Sequence, residues 1–78
     1  MIKLVFFGAT AEIVGNREIK LQFEGRTSVQ VVVERLFDDF PGLRAHRLLF
    51  AVNQEYAGQD YILNDRDELA IFTAVSGG

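Results

Sequence analysis

Between residues 27 and 40 apolar side chains recur at helical spacing, and no other stretch of the 78-residue chain keeps that period beyond a turn. Val29, Val32, Val33, Leu36, Phe37 and Phe40 share one face, while Gln30, Glu34, Arg35, Asp38 and Asp39 lie opposite and Val31 is out of place. The valines alone would favour a strand, because branched side chains lose χ1 freedom in a helix. Strict alternation fails after Val33, so the period predicts a helix. Thr27 and Gln30 match a capping box at its start, and Pro41-Gly42 stops it. A lone amphipathic helix must bury its stripe on something else, so the flanking segments have to supply a sheet.

They have the patterns for it. Ile2 to Phe7 is a compact β-branched and aromatic run, predicted as the first strand. Gly8 to Asn16 reads as a connection holding at most one helical turn. Glu18 to Phe23 alternates, with Ile19, Leu21 and Phe23 on one side, and is predicted to pair with strand one as a hairpin. Leu48 to Val52 is a further strand, followed by a polar turn at Asn53-Gln54-Glu55 and a weak segment from Tyr56 to Leu63. Asn64 to Asp67 is a turn, and Glu68 to Val75 the last strand. The expectation is an α+β fold: one domain over residues 1–78, with a mixed sheet, one main helix across one face and a flexible tail at 75–78.

A sheet covered on one side exposes the other, so side-chain parity shows which apolar groups face outward. If Lys3 marks the open face, Val5 and Phe7 share it, and so do Ala70, Phe72 and Ala74. Two exposed phenylalanines together indicate a partner surface. The alternative is that one ring is buried under the loop after strand one or in a second small core.

Composition removes most side-chain chemistry. There is no Cys and a single His, His46, which excludes disulfides, thiolate nucleophiles, iron–sulfur clusters and multi-histidine metal cages. His46 reads as a surface-loop residue. Asp65, Asp67 and Glu68 lack calcium-loop spacing and read as turn residues, so no metal site is expected. A net charge of -3 argues against a nucleic-acid partner, whose affinity comes from Lys and Arg displacing counterions. No apolar run approaches the roughly 20 residues of a membrane helix, and a cytoplasmic location is expected.

The remaining reactive group is the main-chain carboxylate after Gly77-Gly78. Without Cβ atoms a diglycine can thread a narrow channel and present its carboxylate like a tethered substrate; the alternative is a frayed, inert end. Met1 to Phe7 (MIKLVFF), Glu12 to Gly15 (EIVG), Ala51 to Gln54 (AVNQ), Leu63 to Ile71 (LNDRDELAI) and Val75 to Gly78 (VSGG) together resemble the MoaD/ThiS sulfur-carrier family, above all its molybdopterin synthase small-subunit branch. The resemblance implies a ubiquitin-like β-grasp fold. It implies that an E1-like adenylating enzyme consumes ATP to activate the Gly78 carboxylate and that a sulfur relay protein turns the acyl-adenylate into a thiocarboxylate. The sulfur then passes to the pterin precursor, forming the molybdopterin dithiolene in the large synthase subunit. No cofactor would be held permanently. Phe7, Tyr56, Phe72, Val75 and Ser76 would contact the partner, with Gly77 giving the tail its freedom. The chain departs from the family pattern at Ala11, often Arg, at Thr73-Ala74, commonly Pro-Pro, and at Arg66, usually Gly, where a different turn type could accommodate it. Carriers for thiamine thiazole or another acceptor, a ubiquitin-like protein modifier and an inert interaction module remain as alternatives.

Overall fold

The structure, a computed structural model, describes residues 1–23 and 25–74. Its elements run β1 (Ile2–Phe6), α1 (Ala9–Val14), β2 (Glu18–Leu21), β3 (Thr27–Ser28), α2 (Val29–Asp39), a 3-10 turn (Pro41–Ala45), β4 (Leu48–Val52), β5 (Glu55–Tyr56), β6 (Ile62–Leu63) and β7 (Glu68–Thr73). Five strands form the main sheet in the order β2-β1-β7-β4-β5, and β3 pairs with β6 in a second, two-stranded one. The central β1–β7 pair is parallel and its neighbours are antiparallel, so the sheet is mixed, as expected.

One face of the sheet is buried and the other is not. Ile2, Leu4 and Phe6 of β1, Phe50 and Val52 of β4, and Leu69 and Ile71 of β7 point into the core. Val29, Val32, Val33 and Leu36 of α2 meet them, with Leu43 of the 3-10 turn fully buried beside the helix end. This is the helical stripe read from the sequence. Val31, the misplaced valine, is 49% exposed.

Four local readings are corrected. The segment after β1 holds a six-residue helix, α1, rather than at most one turn; Ala11, Ile13 and Val14 pack it on the core, and Gly8 and Gly15 bound it with positive φ. The α2 cap is Ser28, whose Oγ accepts from the Val31 N–H at 3.3 Å, not Thr27. Thr27 is drawn into the two-residue β3, and the first two helix N–H groups, of Val29 and Gln30, donate to the Tyr61 and Gln59 carbonyls; tertiary pairing thus replaces the expected box. The strands are shorter than their apolar runs: β1 stops at Phe6, β2 at Leu21 and β7 at Thr73. Arg66 keeps a left-handed backbone, φ 73°, so the turn before β7 retains the conformation that suits glycine instead of changing type. The expected tail at 75–78, with Val75 as the end of the last strand, lies outside the described residues.

Candidate functional site

Register fixes what the open face displays. Lys3 lies opposite Lys20 on β2 and Glu68 on β7, and its ammonium sits 3.2 Å from Glu18 and 3.5 Å from Glu68. The hydrogen bond to Glu18, then the negative charges of Glu18 and Glu68, raise the Lys3 pKa above its ordinary value. Lys3 therefore does mark the solvent side, at one end of the sheet.

Toward the other end the same face turns apolar. Val5, Ala70 and Ala51 align across β1, β7 and β4, and Tyr56 of β5 lies opposite Ala51. One pair further along, Phe72 faces Leu49. Phe7 follows β1 and is 55% exposed, with Gly8, Phe72 and Thr73 around an open depression beside it. Tyr56, 81% exposed, leans on Phe72 with ring centroids 6.0 Å apart and planes at 52°. The alternative, a ring buried under the loop after β1, is not what occurs: Phe72 is partly covered, but by a neighbouring aromatic, and Phe7 stands free. The structure thus brings Phe7, Phe72 and Tyr56 to one patch. Val75, Ser76, Gly77 and Gly78 lie outside the described residues.

Several groups hold the patch in shape. Thr10, fully buried on α1, accepts the Phe7 N–H at 3.1 Å, and its hydroxyl has the Phe7 and Ile71 carbonyl oxygens as acceptors, each at 2.8 Å. One side chain thereby ties the backbone of Phe7 to the residue preceding Phe72. At the β4–β5 hairpin, Asn53 and Gln54 adopt φ of 50° and 72°, the pair of left-handed residues a tight two-residue turn requires, which turns Tyr56 back onto the open face. Asn53 is itself held, donating to Asp67 at 2.9 Å and accepting from the Glu68 N–H at 3.0 Å. Asp67 also accepts the Asn64 N–H at 2.7 Å, the turn role read for it, but it is buried and so does not serve as the solubilising surface residue expected.

Beyond β7 the Ala74 N–H donates to the Arg47 carbonyl at 3.3 Å. That bond extends the Leu48–Thr73 register by one pair, so Arg47 stands where the chain leaves the sheet toward Gly78. Neither Thr10 nor Arg47 was legible as a site residue. Thr10 falls within the segment read as a connection and Arg47 within no periodic pattern; only the fold shows which strand each one meets. His46 is exposed. Among the described residues no group of three or more His, Cys, Asp or Glu is placed to hold a metal, and no helix is long and apolar enough to cross a membrane.

Comparison with known proteins agrees with the fold. The ThiS family model matches residues 4–78. The molybdopterin synthase sulfur carrier subunit of Arabidopsis thaliana is 33% identical over 99% of this chain and 82% of its own. That of Escherichia coli is 35% identical over the full length of both. SAMP1, the small archaeal modifier protein 1 of Haloferax volcanii, has a crystal structure similar at a TM-score of 0.82, with 26% identity over 99% of this chain and 98% of that one. The mixed sheet grasping one main helix is the ubiquitin-like β-grasp of these proteins, and the chain belongs to the ThiS/MoaD family.

Proposed function

We propose that the protein is the sulfur carrier of a molybdopterin synthase. In this reading the Gly78 carboxylate attacks ATP on an E1-like adenylating enzyme, releasing pyrophosphate. The terminal sulfur of a persulfide on the sulfur relay protein then displaces AMP at the acyl carbon, and a thiol cleaves the resulting acyl disulfide, releasing the relay thiol in a mixed disulfide and leaving the thiocarboxylate. The large synthase subunit takes up the tail and positions the sulfur against the pterin precursor, where the dithiolene is built. A thioacid is largely ionised at neutral pH and more nucleophilic than a carboxylate, so the carrier needs no general base of its own; the partner supplies positioning. ATP is consumed by the activating enzyme, no cofactor stays on the chain, and the cycle runs in the cytoplasm.

The observation that carries this reading is the placement of the apolar patch. Phe7, Phe72 and Tyr56 lie at the end of the sheet from which β7 leads on to Val75-Ser76-Gly77-Gly78. Four residues reach at most about 14 Å when extended, so a partner seated on the patch has the carboxylate within its own surface layer. The patch is the adhesive part and the tail the reactive part. Full-length identity to named sulfur carrier subunits supports the same assignment.

The test is reconstitution. Deleting Gly78 should abolish sulfur donation to the large subunit while leaving the circular dichroism spectrum of the folded domain unchanged. Full activity of the truncated chain would overturn the proposal. The likeness to SAMP1 favours a second reading, conjugation of Gly78 to lysines of other proteins, which would appear as larger covalent products instead.

A further inference from the structure

We propose that Arg47 is a positively charged rim to the docking face and pairs with a carboxylate-bearing surface on the protein that receives the C-terminal segment. The proposal rests on the sulfur-carrier reading. Arg47 is exposed and lies opposite Ala74, beside the start of the tail. Alternation along the strand, from Ala51 through Leu49, places Arg47 on the open face, the side that also carries Phe72. It is the cation at the apolar end of that face; Lys3 lies at the far end and is taken up by Glu18 and Glu68.

Four of the seven other cations have a task within the fold, Lys3 among them, while Arg17, Lys20 and Arg26 are exposed and, like Arg47, have no ion pair among the described residues, but none of those three lies beside Ala74 on the open face. Arg44 lies 4.8 Å over the Phe37 ring and 4.0 Å from Asp38, Arg35 lies 5.6 Å over Phe23, and Arg66 is 4.0 Å from Asp65. Among the described residues Arg47 has neither an ion pair nor an aromatic partner. On a chain of net charge -3 it is a local reversal of sign at the place where the tail must be handed over. An acidic partner surface would be repelled by the chain as a whole and attracted at this point beside the tail, which orients the encounter. A nucleotide phosphate fits less well. Adenylation occurs at Gly78, four residues on, whereas Arg47 stands at the base of the tail where a protein wall would close.

The experiment is stopped-flow association of the full-length chain with purified molybdopterin synthase large subunit at low and moderate ionic strength. Arg47→Glu should slow association about tenfold at low salt and flatten its salt dependence, as rim charges act chiefly on encounter rates. Arg47→Ala should fall between the two, and Arg47→Lys should associate like the wild type. Lys20→Glu, at the distant end of the same face, should change the rate little. If Arg47→Glu associates as fast as wild type while Phe72→Ala weakens binding, the rim proposal is wrong and the carrier reading stands. If the wild-type chain does not bind the large subunit at all, the carrier reading falls and this proposal with it.

Discussion

Two buried threonines show how much a single hydroxyl depends on its surroundings. Thr10 satisfies one backbone donor and offers its proton to two carbonyls, so Thr10→Val keeps the shape of the side chain and strands those groups. A loss of about 1–3 kcal/mol is expected in urea unfolding, with Thr10→Ser recovering most of it. Thr27 is the converse: its Oγ1 is buried with no hydrogen-bond partner among the described residues. Thr27→Val should therefore leave stability unchanged or raise it, by up to about 1 kcal/mol in the same assay. Sequence could not separate the two. Thr27 reads as a helix cap and Thr10 as part of a connection, and only the neighbouring strand decides which hydroxyl finds an acceptor.

At the scale of elements, what the sequence shows best is whatever repeats. The stripe of α2 and the alternation of β2 were legible because many residues vote for one period, and the buried set of α2 matches it. Ends were not legible. The capping site lies at Ser28 because Thr27 is drawn into β3 opposite Leu63, and α1 is longer than a turn because Ala11, Ile13 and Val14 pack on a core built from distant segments. Two substitutions use this. Val31 is a half-exposed branched residue in a helix, so Val31→Ala should stabilise the protein by about 0.5 kcal/mol by removing its χ1 penalty. Arg66, highly exposed, holds a left-handed conformation without packing to justify it, so Arg66→Gly should add about 1 kcal/mol by relieving the Cβ clash. Unchanged unfolding midpoints would refute either account.

The whole molecule separates its tasks by face. Helix and inner sheet face make the core, the Lys3 cluster keeps one end of the open face polar, and the other end gathers Phe7, Phe72 and Tyr56. The pairing of Phe7 with Phe72 was legible from parity alone. Tyr56 joins them through the Asn53-Gln54 turn, whose geometry no periodicity encodes. Because the Lys3 pKa is raised by its carboxylates, any stability those pairs contribute is fully present below its ordinary value of 10.5 and fades as pH rises through the elevated one. Both side chains are substantially exposed, so the effect should be a shallow alkaline decline, weaker in high salt. Phe7→Ala or Phe72→Ala should weaken binding to the large subunit by roughly 1–3 kcal/mol in calorimetric titration, while the fold stays intact. Undiminished affinity in both would remove the patch from the interface.

With no Cys and one His, the side chains offer this protein little reactive chemistry of its own, and in the proposed function the reaction falls to the main-chain carboxylate of Gly78. The direct test is the intact mass of the chain after incubation with the adenylating enzyme, ATP and a sulfur source. The predicted result is replacement of one oxygen by one sulfur, localised to Gly78 by fragmentation. A mass that never changes under those conditions, in a chain that keeps its function when Gly78 is deleted, would contradict the account.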